Sequence, residues 1–159
     1  MNVELKEYTP LFFEALNSYR LDKKQSDFTA SLEYCLYERK DLENPEKTLV
    51  VIVFEELPVG FFVFDQGNDK YKLTDNPKSI LIRSLSINPK YQGKGIGKYA
   101  MQLTTQFIKD QIPQINEIVL SVNFKNKNAY YTYLKSGYID DNKVIIGIKG
   151  EQHVLTKKI

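Results

Sequence analysis

Three glycines alternate within the run Gln92-Gly93-Lys94-Gly95-Ile96-Gly97-Lys98, a spacing suited to holding an anion. Glycine has no Cβ, so backbone N–H groups can converge on a ligand that approaches closely. An apolar, β-branched stretch at 79–87 precedes the glycines, and a helical pattern follows them. Because a helix begins with unpaired N–H groups and a partial positive charge, this strand-to-helix turn predicts an anion site.

The surrounding charges agree with an anionic ligand, because Lys90, Lys94 and Lys98 occur here with no acidic residue among them. Two common phosphate patterns do not fit. A P-loop needs a glycine five residues before Gly97-Lys98 and a serine or threonine after, but Gln92 and Tyr99 stand there. The dinucleotide pattern needs glycines at positions one, three and six, whereas here they fall at one, three and five.

The positions that do match are Gln92, Gly95 and Gly97, in the pattern Gln/Arg-x-x-Gly-x-Gly/Ala. With the preceding Asn-Pro-Lys-Tyr, this segment resembles motif A of the GCN5-related N-acetyltransferases (GNAT). In that family the backbone amides of the turn bind the pyrophosphate of acetyl-CoA.

A second match follows about 30 residues later, at Asn126, Ala129, Tyr133, Gly137 and Tyr138. These residues fill the positions of the family's motif B, and the four-residue spacing of Ala129 and Tyr133 puts both on one helix face. Two motifs in the right order are more specific than either alone. They cover the second half of the chain, and the first half matches only by its order of elements.

The resemblance implies that acetyl-CoA is the co-substrate and that an amine attacks it directly in a ternary complex. Tyr133 would protonate the departing thiolate, since a phenol can supply a proton to a thiol whose pKa is near 8.5. A backbone N–H of the strand before the turn would polarise the thioester carbonyl. The implied cofactor-binding residues are Leu85, Ser86, Ile87, Gln92, Gly93, Lys94, Gly95, Ile96, Gly97, Lys98 and Asn126. For Lys125, Lys127 and Lys135, solvated surface charge is favoured over a contact with the 3′-phosphate, and Tyr130, Tyr131 and Tyr138 are expected to be packing residues.

The pattern departs from the family at Arg83, because many members place a proton-accepting carboxylate there. Arginine cannot act as a base. We therefore expect the base to lie elsewhere, to be water, or to be unnecessary for a weakly basic amine; Glu55, Glu56 and Asp65 are only candidates. Arg83 could instead pair with a substrate carboxylate, with an ion pair inside the sheet or an outward-facing side chain as the favoured alternatives.

Composition narrows the class of protein further. With 159 residues, 42% apolar residues and a net charge of +2, the chain is expected to be one globular domain over 1–159, without affinity for nucleic acid or membranes. A single cysteine, Cys35, and the lack of a signal-peptide pattern favour the cytoplasm. Only one histidine is present, His153, and no metal-ligand spacing occurs, so we expect no metal. The aromatic content makes a homodimer conceivable.

The order of elements predicts an α/β (α+β) fold with helices packed on a sheet. Strands are expected at 3–7, 48–54, 59–64, 79–87, 117–122, 144–148 and 153–156. Helices are expected from Thr9-Pro10 onward and at 27–40, 95–111 and 128–135, with a loop at 66–78 and a turn at Glu56-Leu57-Pro58. The resemblance adds that the sheet is mixed, mainly antiparallel, and has about six to seven strands.

The favoured function is an N-acetyltransferase that acts on a primary amine of a small molecule or peptide. One alternative is an acyl-CoA-binding module with weak or no catalysis, which Arg83 favours and Tyr133 opposes. A second alternative is a nucleotide-binding protein that uses the same turn. The acceptor stays open, since the segments that would line its site lie outside both motifs.

Overall fold

A computed structural model describes residues 1–159, and at its centre is one seven-stranded sheet in the order β1-β2-β3-β4-β5-β7-β6. The strands are β1 (Val3–Glu7), β2 (Lys47–Phe54), β3 (Leu57–Asp65), β4 (Ser79–Ile87), β5 (Glu117–Asn123), β6 (Ile139–Gly147) and β7 (Gly150–Lys158). Every neighbouring pair is antiparallel except β4 and β5, which are parallel. The predicted mixed, mainly antiparallel sheet flanked by helices is therefore confirmed.

Helices cover both faces of the sheet. The α-helices are α1 (Phe13–Leu16), α2 (Lys23–Ser26), α3 (Ile96–Gln111) and α4 (Lys127–Lys135). On one face, α3 packs with Val50 and Ile52, and on the other, α1 packs with Leu49 and Val51. Both faces of β2 are thus buried, which explains its continuous apolar sequence. None of the helices has the length and apolar character that crossing a bilayer requires.

The longest helix, α3, follows directly from its sequence. It begins after Gly95, whose φ of 82° is a left-handed conformation that glycine adopts without strain. Ile96, Ala100 and Ile108 share its buried face, as the helical period requires. The helix ends at Gln111, two residues before Pro113, which cannot continue it.

The parallel contact between β4 and β5 is short, because only Ser79–Leu81 pairs with Glu117–Val119. Beyond Leu81 the two strands separate. On its other side, β4 carries a bulge, since the pairing with β3 skips one residue between Arg83 and Ser86, and Ser84 has a φ of 63°. The extra residue resets the alternation of side chains. Arg83 and Ser86 consequently face the α1 side, while Leu85 and Ile87 pack against the core cluster that contains α3.

The predicted helix at 27–40 is wrong. The structure has the short helix α2 before this segment and a single π-helical turn at Tyr34–Glu38 within it. Asp22 caps α2 by accepting a hydrogen bond from the Gln25 N–H at 2.8 Å. An Asp followed three residues later by a Gln is a sequence pattern typical of a helix start. Thr29 and Ser31 interrupt the apolar pattern of 27–40, and the Ser31 hydroxyl instead accepts a hydrogen bond from the Tyr34 N–H.

Three smaller predictions also need correction. The helix after Thr9 starts as a 3₁₀ turn at Pro10–Phe12, and the Thr9 side chain makes no cap hydrogen bond. The turn between β2 and β3 consists of Glu55 and Glu56, both with positive φ, so residues 57 and 58 already belong to β3. The terminal hairpin is longer than predicted, because a bulge between residues 140 and 144 breaks the alternation that would have revealed the start of β6.

Gly60 on β3 lies where β4 approaches the end of its bulge. A Cβ at this position would overlap the Ser86 carbonyl oxygen and lie 3.2 Å from the Ile87 Cα, both backbone atoms. We expect Gly60→Ala to destabilise the protein by about 1–3 kcal/mol, the usual cost of overpacking, as measured by urea denaturation. Gly147→Ala is the control, because its Cβ would meet only the end of the mobile Gln152 side chain. Equal effects of the two substitutions would contradict this account.

Candidate active site

The separation of β4 from β5 opens a cleft of about 1990 Å³ that passes from one face of the sheet to the other. Of the residues singled out in the sequence, most line this cleft. They are Arg83, Leu85, Ser86, Ile87, Gln92, Gly93, Gly95, Gly97, Lys98, Asn126 and Tyr133. Of the residues implied to bind the cofactor, Lys94 and Ile96 do not line it. The Ile96 side chain is buried in the core, so only its backbone could reach a ligand.

At one end of the cleft lies the glycine turn. Gly93 and Gly95 have φ of 74° and 82°, and a Cβ on Gly93 would meet no atom within 4 Å. Gly95 is the N-cap of α3 and contributes no side-chain cap, so the first N–H groups of the helix lack a side-chain acceptor. The open surface and these N–H donors make the turn suited to a phosphate group.

Gln92 holds this turn in place. Its side-chain amide donates to the Ile87 carbonyl oxygen at 2.7 Å and to Gln25 Oε1 at 3.2 Å, while Gln25 donates back to Gln92 Oε1 at 2.9 Å. The Gln92 side chain thus connects the end of β4, the turn and α2. Gln25 has no signal in the sequence that would pair it with Gln92.

Tyr133 lies on α4 and faces the cleft with a side chain that is 93% buried, since its relative exposure is 7%. Its hydroxyl makes no hydrogen bond to any other residue. Burial raises the pKa of Tyr133 well above the ordinary phenol value, so the hydroxyl is protonated at neutral pH. The neighbouring Tyr138 ring lies 5.6 Å away, and the Tyr138 hydroxyl is buried without a partner.

Asn126 starts α4. Its side-chain oxygen accepts a hydrogen bond from the Ala129 N–H at 3.4 Å, and the chain then turns from β5 into the helix. The amide nitrogen of Asn126 stays free to donate toward the cleft, which its side chain lines. Gly137, with a φ of 97°, ends the helix.

Arg83 on β4 also lines the cleft. Its Nη1 lies 3.1 Å from Asp65 Oδ2 and 2.9 Å from Asp69 Oδ2. Asp65 is almost fully buried and Asp69 is half exposed. The Arg83 hydrogen bond holds the pKa of Asp69 below its usual range. The ion pair expected as one alternative for Arg83 is therefore present.

Two groups near the bulge have no signal in the sequence. Tyr19 follows α1 by three residues, and its hydroxyl lies 3.0 Å from Ser86 Oγ. Burial, partly opposed by this hydrogen bond, raises the pKa of Tyr19 to about 12. Arg39 donates from Nη2 to Ser84 Oγ at 2.9 Å. Both contacts join the N-terminal segment to β4, 45 or more residues away in the chain.

The remaining candidates lie away from the cleft. Glu55 and Glu56 form the β2–β3 turn, and Asp65 is engaged by Arg83. His153 stacks between Phe124 and Tyr130, with ring centroids 4.0 and 4.2 Å away. Cys35 is a fully buried core residue. No three His, Cys, Asp or Glu side chains in residues 1–159 come together as a metal site would require.

Comparison with known proteins gives a family for this arrangement. The model of the acetyltransferase (GNAT) family matches residues 9–138. An uncharacterized N-acetyltransferase of Bacillus subtilis (strain 168), YbbJ, is 33% identical over 155 residues, which are 97% of this chain and 96% of that protein.

Solved structures resemble the fold at lower sequence identity. An AAC(6')-Ib complex with parmomycin and acetyl-CoA superposes with a TM-score of 0.80 at 15% identity, covering 99% of this chain and 94% of that one. Spermidine N-acetyltransferase from Vibrio cholerae, in complex with CoA and spermine, has a TM-score of 0.69 at 15% identity, covering 98% and 95%. These likenesses concern the fold, whereas the family model spans most of the sequence. This chain belongs to the GNAT acetyltransferase family.

Proposed function

We propose that the protein transfers an acetyl group from acetyl-CoA to the primary amine of a small molecule or peptide. One observation carries the proposal: a single cleft joins the glycine turn, the unpaired edge of β4 and Tyr133, whose hydroxyl has no hydrogen-bond partner. The fold neighbours that bind acetyl-CoA or CoA support the choice of donor, and their aminoglycoside and polyamine ligands support a small amine as acceptor.

The cleft offers hydrogen-bonding groups for the pyrophosphate, the pantetheine arm and the thioester of acetyl-CoA. The pyrophosphate would lie on the N–H groups at Gly93–Gly97, with Lys98 adding positive charge and the Asn126 amide donating from α4. The pantetheine arm would follow β4 from Leu85 to Ile87, where β5 no longer pairs. Of the backbone groups on that edge, the Ile87 carbonyl oxygen is already bound by Gln92. A backbone N–H of this stretch would donate to the thioester oxygen as it becomes negative.

The chemistry is then a direct transfer. The neutral amine attacks the thioester carbon, a C–N bond forms, and the C–S bond breaks with the electron pair leaving on sulfur. Tyr133 supplies a proton to that sulfur, because its raised pKa keeps the hydroxyl protonated until the thiolate forms. The attacking nitrogen loses one proton as the amide forms; that proton passes to water in the cleft, and water returns a proton to the phenolate of Tyr133.

The proton of the ammonium form must leave by another route. Arg83 is paired with two carboxylates and cannot accept a proton. Asp69 is a weak base, since its pKa is lowered. We therefore assign this step to water in the open cleft, so that the neutral fraction of the amine enters the reaction.

Tyr133→Phe removes the proton donor and keeps the ring. We expect kcat to fall roughly 100-fold, at the low end of general acid catalysis, with little change in the KM for acetyl-CoA, in a steady-state assay of thiol release. Unfolding temperature should change little, because the hydroxyl makes no hydrogen bond. Tyr138→Phe is the matched control and should keep full activity, since it removes only a buried hydroxyl that lacks a partner. Equal kcat values for the two variants would exclude Tyr133 as the acid.

The function itself is tested with purified protein, acetyl-CoA and a panel of amines, with release of free thiol as the readout. Competition among CoA, ATP and NAD is measured alongside, and we expect only CoA to displace acetyl-CoA. Tight binding of acetyl-CoA without turnover on any amine would favour the binding module. Displacement by ATP or NAD would favour a nucleotide-binding protein.

Two predictions concern the protein as a whole: that it forms a homodimer and that it is located in the cytoplasm. We propose the edge strand β6 as the contact surface of the dimer. Val144 and Ile146 on β6 expose 44% and 84% of their surface, and Ile148 in the following turn exposes 102%. Antiparallel pairing of the regular part of two β6 strands, about Ile145, would cover Val144 and Ile146. An uncovered apolar edge of this kind favours strand pairing.

Light scattering during size-exclusion chromatography checks the dimer. We expect a mass of twice the 18.5 kDa chain for the wild type and a shift to the monomer for Ile146→Lys. Leu11→Lys is the control, because Leu11 is 93% exposed on a different part of the molecule. A monomeric wild type at all concentrations would overturn this prediction.

A further inference from the structure

Three arginines line the cleft on its α1 side, and they differ in what their guanidinium groups bind. Arg20 donates from Nη1 to the backbone carbonyls of Asn17 and Tyr19, which belong to its own segment. Arg39 and Arg83 instead flank the bulge residue Ser84 on β4, beside the stretch proposed to hold the thioester. Because an acceptor amine must reach the thioester, it would approach past these two arginines.

The Arg39 guanidinium is fixed by hydrogen bonds through Nε and Nη2, whereas its Nη1 makes none. Its Nε and Nη2 each donate to Asp41 at 2.7 Å, and Nη2 also donates to Ser84 Oγ. Nη1 has no partner in the protein, and the side chain is 14% exposed. Burial alone would raise the pKa of Asp41, but hydrogen bonds from Arg39 and Lys47 outweigh it, and Asp41 stays ionised. A guanidinium fixed in this way offers Nη1 as a pre-positioned donor.

Arg83 also has unused donors. Both of its carboxylate contacts involve Nη1, which leaves Nε and Nη2 without a partner, and the side chain is 29% exposed. Arg39 bonds to the residue directly after Arg83 in the chain, and both lie on the same face of the sheet. Two guanidinium groups with free N–H groups on one wall are suited to a planar, two-oxygen anion.

The charges of the whole cleft do not favour a polycation. Its basic side chains are Arg20, Arg39, Lys72, Arg83, Lys98, Lys135 and Lys149, and its acidic side chains are Asp27, Glu33 and Asp69. Even without the basic residues on α3, α4 and the terminal hairpin, four basic side chains face three acidic ones. Spermine or an aminoglycoside would find no excess of negative charge here.

We propose that Arg39 and Arg83 form a carboxylate subsite for the acceptor, which makes the acceptor a small amine bearing a carboxylate, as free amino acids do. This inference rests on the proposed acetyl transfer and names its substrate class. The carboxylate would bind Nη1 of Arg39 and the free nitrogens of Arg83, and the amine would then lie toward the β4 edge and the thioester. The acidic Asp27 and Glu33 on the same wall tolerate the positive charge of the incoming ammonium group.

The experiment compares amino acids with their carboxamides as acceptors at saturating acetyl-CoA. Rates are expressed per neutral amine, so that the different basicity of the two amines does not enter. We expect wild-type kcat/KM to favour the carboxylate. Arg39→Gln and Arg83→Gln should each lower kcat/KM for amino acids roughly 10- to 100-fold, the worth of one or two charged hydrogen bonds, and change the carboxamides by less than about threefold.

Two further variants separate recognition from folding. Arg39→Lys keeps a positive charge beside Asp41 but loses the free Nη1, so it should lose activity on amino acids while its unfolding temperature stays near that of the wild type. Arg20→Gln removes a cleft arginine that bonds to its own backbone, and it should affect neither class of acceptor.

The outcomes separate this inference from the function on which it rests. Acetylation of plain amines with no preference for a carboxylate, or equal losses on both classes in Arg39→Gln and Arg83→Gln, would overturn the subsite and leave acetyl transfer intact. Failure to acetylate any amine would overturn both.

Discussion

The early separation of β4 from β5 is the constraint on which the rest of the molecule depends. A parallel pair that stopped only at the strand ends would fill the sheet and leave no cleft. Here pairing ends at Leu81, and the bulge at Ser84 then turns β4 so that Arg83 and Ser86 face one side and Leu85 the other. The glycine turn, the free backbone edge and both walls of the cleft all follow from this divergence.

Three side-chain contacts connect the N-terminal segment to this strand and its turn. Tyr19 contacts Ser86, Gln25 pairs with Gln92, and Arg39 binds Ser84. The segment is irregular, with one short helix and a single π-helical turn, so it has little stability of its own. The conformation of this N-terminal segment therefore depends on its contacts with β4 and the glycine turn. The acceptor wall is therefore coupled to the geometry of the donor site, since the same strand carries both.

The second half of the fold could be predicted well from the sequence, because its signals are local. The apolar stripe of α3, the glycine at Gly95 and the start of α4 at Asn126 each depend on residues a few positions apart. The first half could not, because its structure depends on distant partners. No short-range pattern predicts that Arg39 contacts Ser84, or that Arg83 shares Asp65 and Asp69. The helix expected at 27–40 was too long: Leu32, Cys35 and Leu36 keep a helical spacing, but only residues 32–38 are helical and the Ser31 hydroxyl binds the Tyr34 N–H at their start. The sequence therefore predicts the residues of the proposed donor side, but not the contacts that shape the proposed acceptor side.

The short parallel contact between β4 and β5 has a thermodynamic consequence. Within the sheet, the pairing between β4 and β5 joins β1–β4 to β5–β7 through only three residue pairs. A molecule lying in the gap and bonding to both strands takes the place of the missing ladder. Its binding free energy is then added to the stability of the native state, in proportion to the logarithm of its concentration. For the proposed acetyl-CoA, resistance to heat and proteolysis would therefore rise with the concentration of this donor in the surroundings.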